Sequence, residues 1–524
     1  MGKGRFRDIP RNLVRRLKNP SLFFPLLLAG AAAWVVKDPL TNFLFPSLSV
    51  WKTLLSFLLV FLLFGLVFYL TTLFTKWFSG RLPHGKPIPT VLNLSTNTRF
   101  VAILVILCGG LVLTIFINQV LPRIDLNRLT YLSPKIVPTM DPVGNDFRTG
   151  LYRPPGLLLK GEKIYYLDQD GSNLTQYPPL LNLLFLPYQV FEEDTAYIVH
   201  VIVLFLANLV CLGLAARWTR DFILPRTGLE PRALTLLAWL LFLVMAVFTL
   251  TGYPFLFSIE RGNYDILALL YAMLAVHTLL YRPKRIWLQV ILLSVAVHLK
   301  IYPAALFVLL LCKHGKRIIL PALAVNLVFL LALGPSNALV FLQIIQQNVA
   351  SGFTWVGNHS AFSFATYLSW IYPAAENALT WLKPLMTMLP VVIWVASLYW
   401  LVAHRQSETS SLLFAFMVSV PLMDVLPPIS HDYKSVLLGP AVLLAAGFLL
   451  VRILHKPDFW DYFKLLLLMA LLLLLGRSFA LNPPEAVLLN HKFSAIIGLA
   501  ALFLSIVRGQ QENQPSSEDA AALS

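Results

Sequence analysis

Apolar runs long enough for a helix to cross a hydrocarbon core of about 30 Å recur along the chain, separated by short polar or basic segments. The pattern predicts helices near residues 21–36, 52–75, 101–121, 195–216, 233–252 and 262–281. It continues near 286–300, 301–312, 317–334, 378–402, 411–428, 436–454, 464–480 and 494–507. The pair over 286–312 is short and hinged at Pro303, so it need not cross fully. The fold class that follows is an all-α polytopic membrane protein with about 14 membrane helices.

Two stretches break this rhythm. Residues 122–194 are rich in Pro, Gly, Asp and Tyr and end in YPPLLNLLFLPYQVF, whose apolar part is too short to span. It reads as a re-entrant or in-plane helix followed by the acids Glu192, Glu193 and Asp194. Residues 335–377 contain NALVFLQIIQQNVA, amphipathic and suited to lying in the interface. The N-terminal basic stretch before 21–36 reads as the flank of a retained helix rather than a signal peptide. The expected organisation is a basic segment with two extra helices over 1–80, a core over 81–454 with its large outer loop at 122–194, further helices over 455–507 and a polar, disordered cytoplasmic tail over 508–524.

Composition narrows the class. The chain is 58% hydrophobic and only 13% charged, against about 25% charged for a soluble domain. A soluble enzyme, a disordered scaffold and a disulfide-stapled module are thereby excluded. The net charge of +16 would suggest nucleic acid in a soluble protein, but here it sorts by topology. With residues 1–20 in the cytoplasm and strict alternation, the inner segments hold 26 of the 41 Lys and Arg residues, including the short basic loops 281–285 and 313–317. No basic stripe remains for nucleic acid, and both termini are expected in the cytoplasm. Cys108, Cys211 and Cys312 sit in apolar runs with no metal or disulfide spacing.

The outer segments carry ionisable residues that plain linkers do not need. They are Asp141, Asp146, Arg148, Arg153, Asp168 and Asp170 in the large loop, then Glu260, Arg261 and Asp265 in SIERGNYD. His298 and Lys300 follow in VHLKIYP, then VGNHS at 356–360 and His431, Asp432 and Lys434 in PPISHDYKS. A lysine in an apolar hairpin costs several kcal/mol unless it is paired or reaches water. Lys300 is therefore a functional candidate, with snorkelling to the outer interface as the plain alternative. Arg261 and Lys300 at outer helix ends suit an anionic headgroup. DQDGSN at 168–173 lacks the bidentate Glu of a calcium loop, so no metal is expected. Asn173-Leu174-Thr175 and Asn358-His359-Ser360 match the glycosylation sequon. This chemistry fits an enzyme acting on lipid-linked phosphates, or a transporter or flippase for a lipid-linked or anionic solute.

The ordered set of motifs resembles glycosyltransferase family 87, the polyprenol-phosphate-dependent membrane glycosyltransferases of the GT-C fold. The matching pieces are NDFRTGLYRPPGLLLKGEKIYY, QYPPLLNLLFLPY, ERGNYDILALL, LKIYPAALFVLLL, GNHSAFSF and ISHDYKSVLLGPAVLL. RGN at 261–263 stands where the family often has Gly-Gln-x-Asn. The resemblance implies a GT-C-like fold and transfer of a hexose or pentose, mannose first, from a polyprenyl-phosphate sugar to a lipid or glycan acceptor with inversion. It implies Asp146 as the general base, with Lys300 and Arg261 as cations for the donor phosphate. Tyr177, Asn263, Asn358, His431 and Lys434 would line the site. No cofactor is implied, the partners are the donor, the acceptor and membrane lipids, and the expected location is a bacterial plasma membrane.

Overall fold

A computed structural model describes residues 143–166, 176–351, 357–371, 384–385, 388–396, 398–399, 408–455, 459–476 and 492–511. The helices expected over 21–36, 52–75 and 101–121, part of 378–402, and Asp141, Asp168, Asp170 and the Asn173 sequon lie outside the described residues.

The described chain is helical from end to end. A π-turn over Phe147–Tyr152 runs into α1 (Arg153–Leu159), followed by α2 (Pro179–Leu184) and α3 (Glu193–Trp218). Next come α4 (Pro231–Thr251), α5 (Tyr253–Arg261), α6 (Asp265–Tyr281) and α7 (Ile286–Leu299). Then follow α8 (Phe307–His314), α9 (Ile319–Leu330), α10 (Pro335–Ser351) and α11 (Ala361–Ile371). The last are α12 (Glu408–Val425), α13 (Leu438–His455), α14 (Phe459–Leu475) and α15 (Lys492–Gln511). The expected short piece after Tyr177-Pro178-Pro179 is α2 with a 3-10 turn over Leu186–Val190, and the expected amphipathic segment is α10. Among the described residues, three helical runs are long and apolar enough to cross a membrane: Glu193–Thr227, Pro231–Thr251 and Asp432–Leu454. Two bent pairs bring that to as many as 5 among the described residues. The short helix expected over 286–300 is α7, which stops at Lys300 after 14 residues, and α5 and α6 meet at an angle of 111°.

The chain divides into two compact units. In the smaller, described over Thr219–Thr251 and Ala445–Leu473 apart from 456–458, Gly447 gives Thr219 room. A Cβ there would stand 2.5 Å from the Thr219 Cγ2. Arg452 and Asp461 form an ion pair of 2.8 Å across the α13–α14 connection.

The larger unit holds every candidate site residue that the structure describes. Its packing around the site is aromatic. Phe147, Leu151, Leu181, Phe185, Tyr264 and Leu299 form one buried cluster, tying the π-turn to α2, α6 and α7. The Phe147 ring stacks on His200 of α3, centroids 4.8 Å apart, and His200 Nε2 lies 3.1 Å from the Gly262 carbonyl. Gly262 ends α5 at φ +67°, a conformation costly to any residue with a Cβ. That end is clasped by the segment before the π-turn and by α3: Gly144 N donates to the Glu260 carbonyl at 2.6 Å and the Tyr197 hydroxyl to the Ile259 carbonyl at 2.7 Å.

A Gly262→Ala change places its Cβ 2.5 Å from the Phe147 Cβ as well as straining the backbone. The expected loss is about 1–3 kcal/mol of stability, read as a lowered unfolding temperature of the purified protein in detergent. An unchanged midpoint would mean that the loop and the α5 end are not coupled.

Candidate active site

Asp146 closes the Asn145-Asp146-Phe147 element just ahead of the π-turn, and Arg261 is the last residue of α5. The turn at Gly262 and the Gly144 contact bring the two together although 115 residues separate them. Arg261 donates to Asp146 Oδ1 from Nε at 3.0 Å and from Nη2 at 2.5 Å. Both side chains are about a fifth exposed, at 18% and 19%, which leaves a route for a ligand. The other oxygen, Oδ2, stands 3.5 Å from Asn263 Nδ2. Asn263 Oδ1 in turn accepts from the Asp265 amide at 3.1 Å, so this side chain spans the bend between α5 and α6. The loop carrying Asp146 is itself staked down. Arg148 donates to the Val143 carbonyl at 3.0 Å and pairs with Asp194 at 2.5 Å and Glu193 at 3.2 Å, the acids that open α3.

A second ion pair lies in the same unit. Lys300, in extended backbone just after α7, holds its Nζ 3.8 Å from Asp265 Oδ2. The ammonium also lies 4.4 Å from the Tyr264 ring centroid and 5.3 Å from that of Tyr177. Lys300 thus points into an aromatic cage rather than away to an interface. The Tyr302 hydroxyl donates to Asp265 Oδ1 at 2.5 Å. Lys434 Nζ sits 4.1 Å over the Tyr302 ring and donates to Ser430 Oγ at 3.0 Å. Burial pushes the Tyr177 hydroxyl well above its ordinary range, and the Asp146 and Asp265 carboxylates push the same way. Tyr177 therefore stays protonated and can only donate or accept a hydrogen bond. Burial pushes His431 down to about 4, against the pull of Asp146 and Asp432, so it is neutral near pH 7.

A third group lies deeper. His359 is fully buried between two carboxylates, with Nε2 2.8 Å from Asp424 Oδ1 and Nδ1 3.1 Å from Asp432 Oδ1. Lys492, the first residue of α15, reaches to 3.6 Å from Asp432 Oδ2. Backbone hydrogen bonds join the two loops: His359 N to the Ser430 carbonyl at 2.8 Å and Asp432 N to the Gly357 carbonyl at 2.9 Å. This is the antiparallel bridge Asn358–His431. Asn358 is fully buried. Its Nδ2 donates to the Pro428 carbonyl at 3.1 Å, and its Oδ1 accepts from Ser430 N at 2.8 Å and Ser360 N at 3.2 Å. The sequon reading of Asn358 is therefore corrected, because a glycan cannot be attached to a buried amide occupied on both sides. The same contacts make Asn358 a shaper of the 428–431 segment, placed next to His431 rather than presenting its amide outward.

The structure thus pairs Asp146 with Arg261 and Asn263, groups Lys300 with Tyr177, and sets Lys434 against Tyr302. Sequence reasoning passed over Tyr264, Tyr302, Asp424 and Lys492 as functional groups and met His359 only as the middle of a sequon. Asp424 and Lys492 do carry a visible signal, a lone charge inside an apolar run. Tyr264 and Tyr302 carry none.

Burial alone would lower His359, but Asp424 and Asp432 outweigh it and hold the imidazolium above its ordinary value of 6.5. A folded value above the unfolded one adds stability that is complete below about pH 6.5 and is lost as pH rises through the folded value. The stability gap between wild type and His359→Gln should accordingly be widest in mild acid and narrow toward alkaline pH, as read by thermal unfolding. A gap that widens with pH would show a neutral imidazole.

Compared with known proteins, residues 175–428 match the family model described as glycosyltransferase family 87. Asp146, Lys434 and Lys492 lie outside the matched stretch, while Arg261, Lys300 and His359 lie within it. Neither the curated proteins nor the solved structures return a match. The match spans a little under half of this apolar, helical chain, and the family it points to is one of glycosyltransferases.

Proposed function

We propose that the chain transfers a hexose or pentose, mannose first, from a polyprenyl-phosphate donor to a lipid or glycan acceptor on the extracytoplasmic face of a bacterial plasma membrane. The observation that carries this reading is the asymmetric clamp on Asp146. Arg261 Nε and Nη2 both meet Oδ1, while Oδ2 stands 3.5 Å from the Asn263 amide. A carboxylate so oriented has one oxygen ready to receive a proton.

The step is a displacement at the anomeric carbon. An acceptor hydroxyl attacks that carbon on the face opposite the phosphate as Asp146 Oδ2 takes its proton. The carbon–oxygen bond to the phosphate breaks, and its electron pair leaves with the polyprenyl phosphate, giving inversion. Charge then grows on the phosphate, which fixed cations stabilise at little reorganisation cost. Lys300, Lys434 and Arg261 supply them. Tyr177 and His431 supply neutral polar contacts for sugar or acceptor hydroxyls. The outer location is supported by the Lys/Arg bias, which sets this site opposite the basic loops 281–285 and 313–317.

Asp146→Asn should lower kcat about 10²–10⁴-fold, the usual worth of a positioned base, while donor binding persists. Sugar transfer from polyprenyl-phosphate mannose in purified protein measures it, and full activity would remove Asp146 as the base. Lys300→Met should weaken both donor binding and turnover, by about 2–5 kcal/mol between them if the charge-assisted contact is desolvated. Unchanged donor KM and kcat would leave Lys300 with no part in the reaction.

A further inference from the structure

We propose that the buried chain Asp424–His359–Asp432–Lys492 is a positioning device, which holds the 430–434 segment in register and so sets Lys434 and His431 in the chamber, the polar site of Asp146, Arg261, Asp265, Lys300 and Lys434. The proposal rests on the reading of that chamber as the sugar-transfer site.

The four side chains are at most 2% exposed. They run in alternating sign, with successive contacts of 2.8, 3.1 and 3.6 Å. Burying ions is costly even when they are paired, and well-packed apolar side chains hold helices together at least as well. Apolar packing is abundant here, so cohesion alone does not account for four ions. What ionic hydrogen bonds add is direction and register. Asp432 sits between His431 and Lys434 in sequence, so a carboxylate held by His359 at Oδ1 and facing the Lys492 ammonium at Oδ2 holds its neighbours on either side. The backbone bridge of Asn358 with His431 locks the same segment from the other edge.

Lys492 reaches the second arm of the chamber as well. Its ammonium lies 4.5 Å over the ring of Tyr253, in the first turn of α5. Tyr253 stacks on Phe257 with centroids 5.4 Å apart, and Phe257 meets Tyr433 at 5.3 Å. One lysine from α15 therefore touches both the segment carrying Lys434 and the helix that ends in Arg261. A residue 64 positions beyond the family match is in this way tied to the chemistry at its centre.

A double-mutant cycle with Lys434→Met separates positioning from bulk stability, because a device that acts through Lys434 has nothing to act on once that ammonium is gone. The full-length protein in detergent is assayed with polyprenyl-phosphate mannose. Lys492→Met should lower kcat/KM about tenfold, the order met when the partner of a site ligand is removed. Lys492→Arg should recover most of that, and Lys492→Met should cost little further in the Lys434→Met background. Asp432→Asn runs the same cycle from the anion side and serves where Lys492→Met does not fold. Additive losses in the cycle, or wild-type kinetics in both Lys492→Met and Asp432→Asn, would overturn the proposal. Asp146→Asn is measured alongside. Its full activity would bring down the chamber reading itself, whereas its loss together with an additive cycle would bring down the positioning role alone.

Discussion

A charge in so apolar a chain must find an opposite charge or reach water, and the site is organised by that requirement. Unpaired ions in a low-dielectric surrounding cost far more than packing returns. Among the described residues of the larger unit, Arg261 answers Asp146, Lys300 answers Asp265, and His359 and Lys492 answer Asp424 and Asp432. Each pair joins separate elements: the segment before the π-turn to α5, α6 to the end of α7, the loop after residue 356 to α12 and to the segment before α13, and that segment to α15. The ion pairs thus act as the register marks of a fold whose apolar contacts are individually interchangeable. Where apolar packing must also be exact, as at Gly262 against Phe147, the missing Cβ and the left-handed turn serve the same end.

Much of this was legible in the sequence. Apolar periodicity marks α3, α4, α6 and α7 closely, and the Tyr-Pro-Pro element marks the start of the short helix α2. Scarcity of charge marks Arg261 and Lys300 as unusual, and the order of short motifs resembles a family whose model matches residues 175–428. What could not be read is pairing. Nothing local in Asn145-Asp146-Phe147 says that its carboxylate meets an arginine 115 positions later. Nothing in GNHS distinguishes a sequon from a buried His359 between two carboxylates, because exposure is a property of the folded chain. The bend was also beyond the pattern: hydropathy counts apolar residues but does not see that α5 and α6 meet at 111°.

The pairing also bears on the proposed chemistry. Asp146, Arg261, Asp265, Lys300 and Lys434, as ordinarily ionised, carry one surplus positive charge. A polyprenyl-phosphate sugar is a phosphodiester with one negative charge, so the donor completes a balance that the chamber leaves open. As the sugar departs, the phosphate becomes a monoester and gains a second negative charge. At the same moment Asp146 takes up a proton and becomes neutral, and Arg261 loses the carboxylate that had occupied it. The cation released by proton transfer is then available to the charge created by bond cleavage. Base and leaving-group stabiliser are in this reading one ion pair, so a variant that separates them should fail in the chemical step while leaving the bound donor in place.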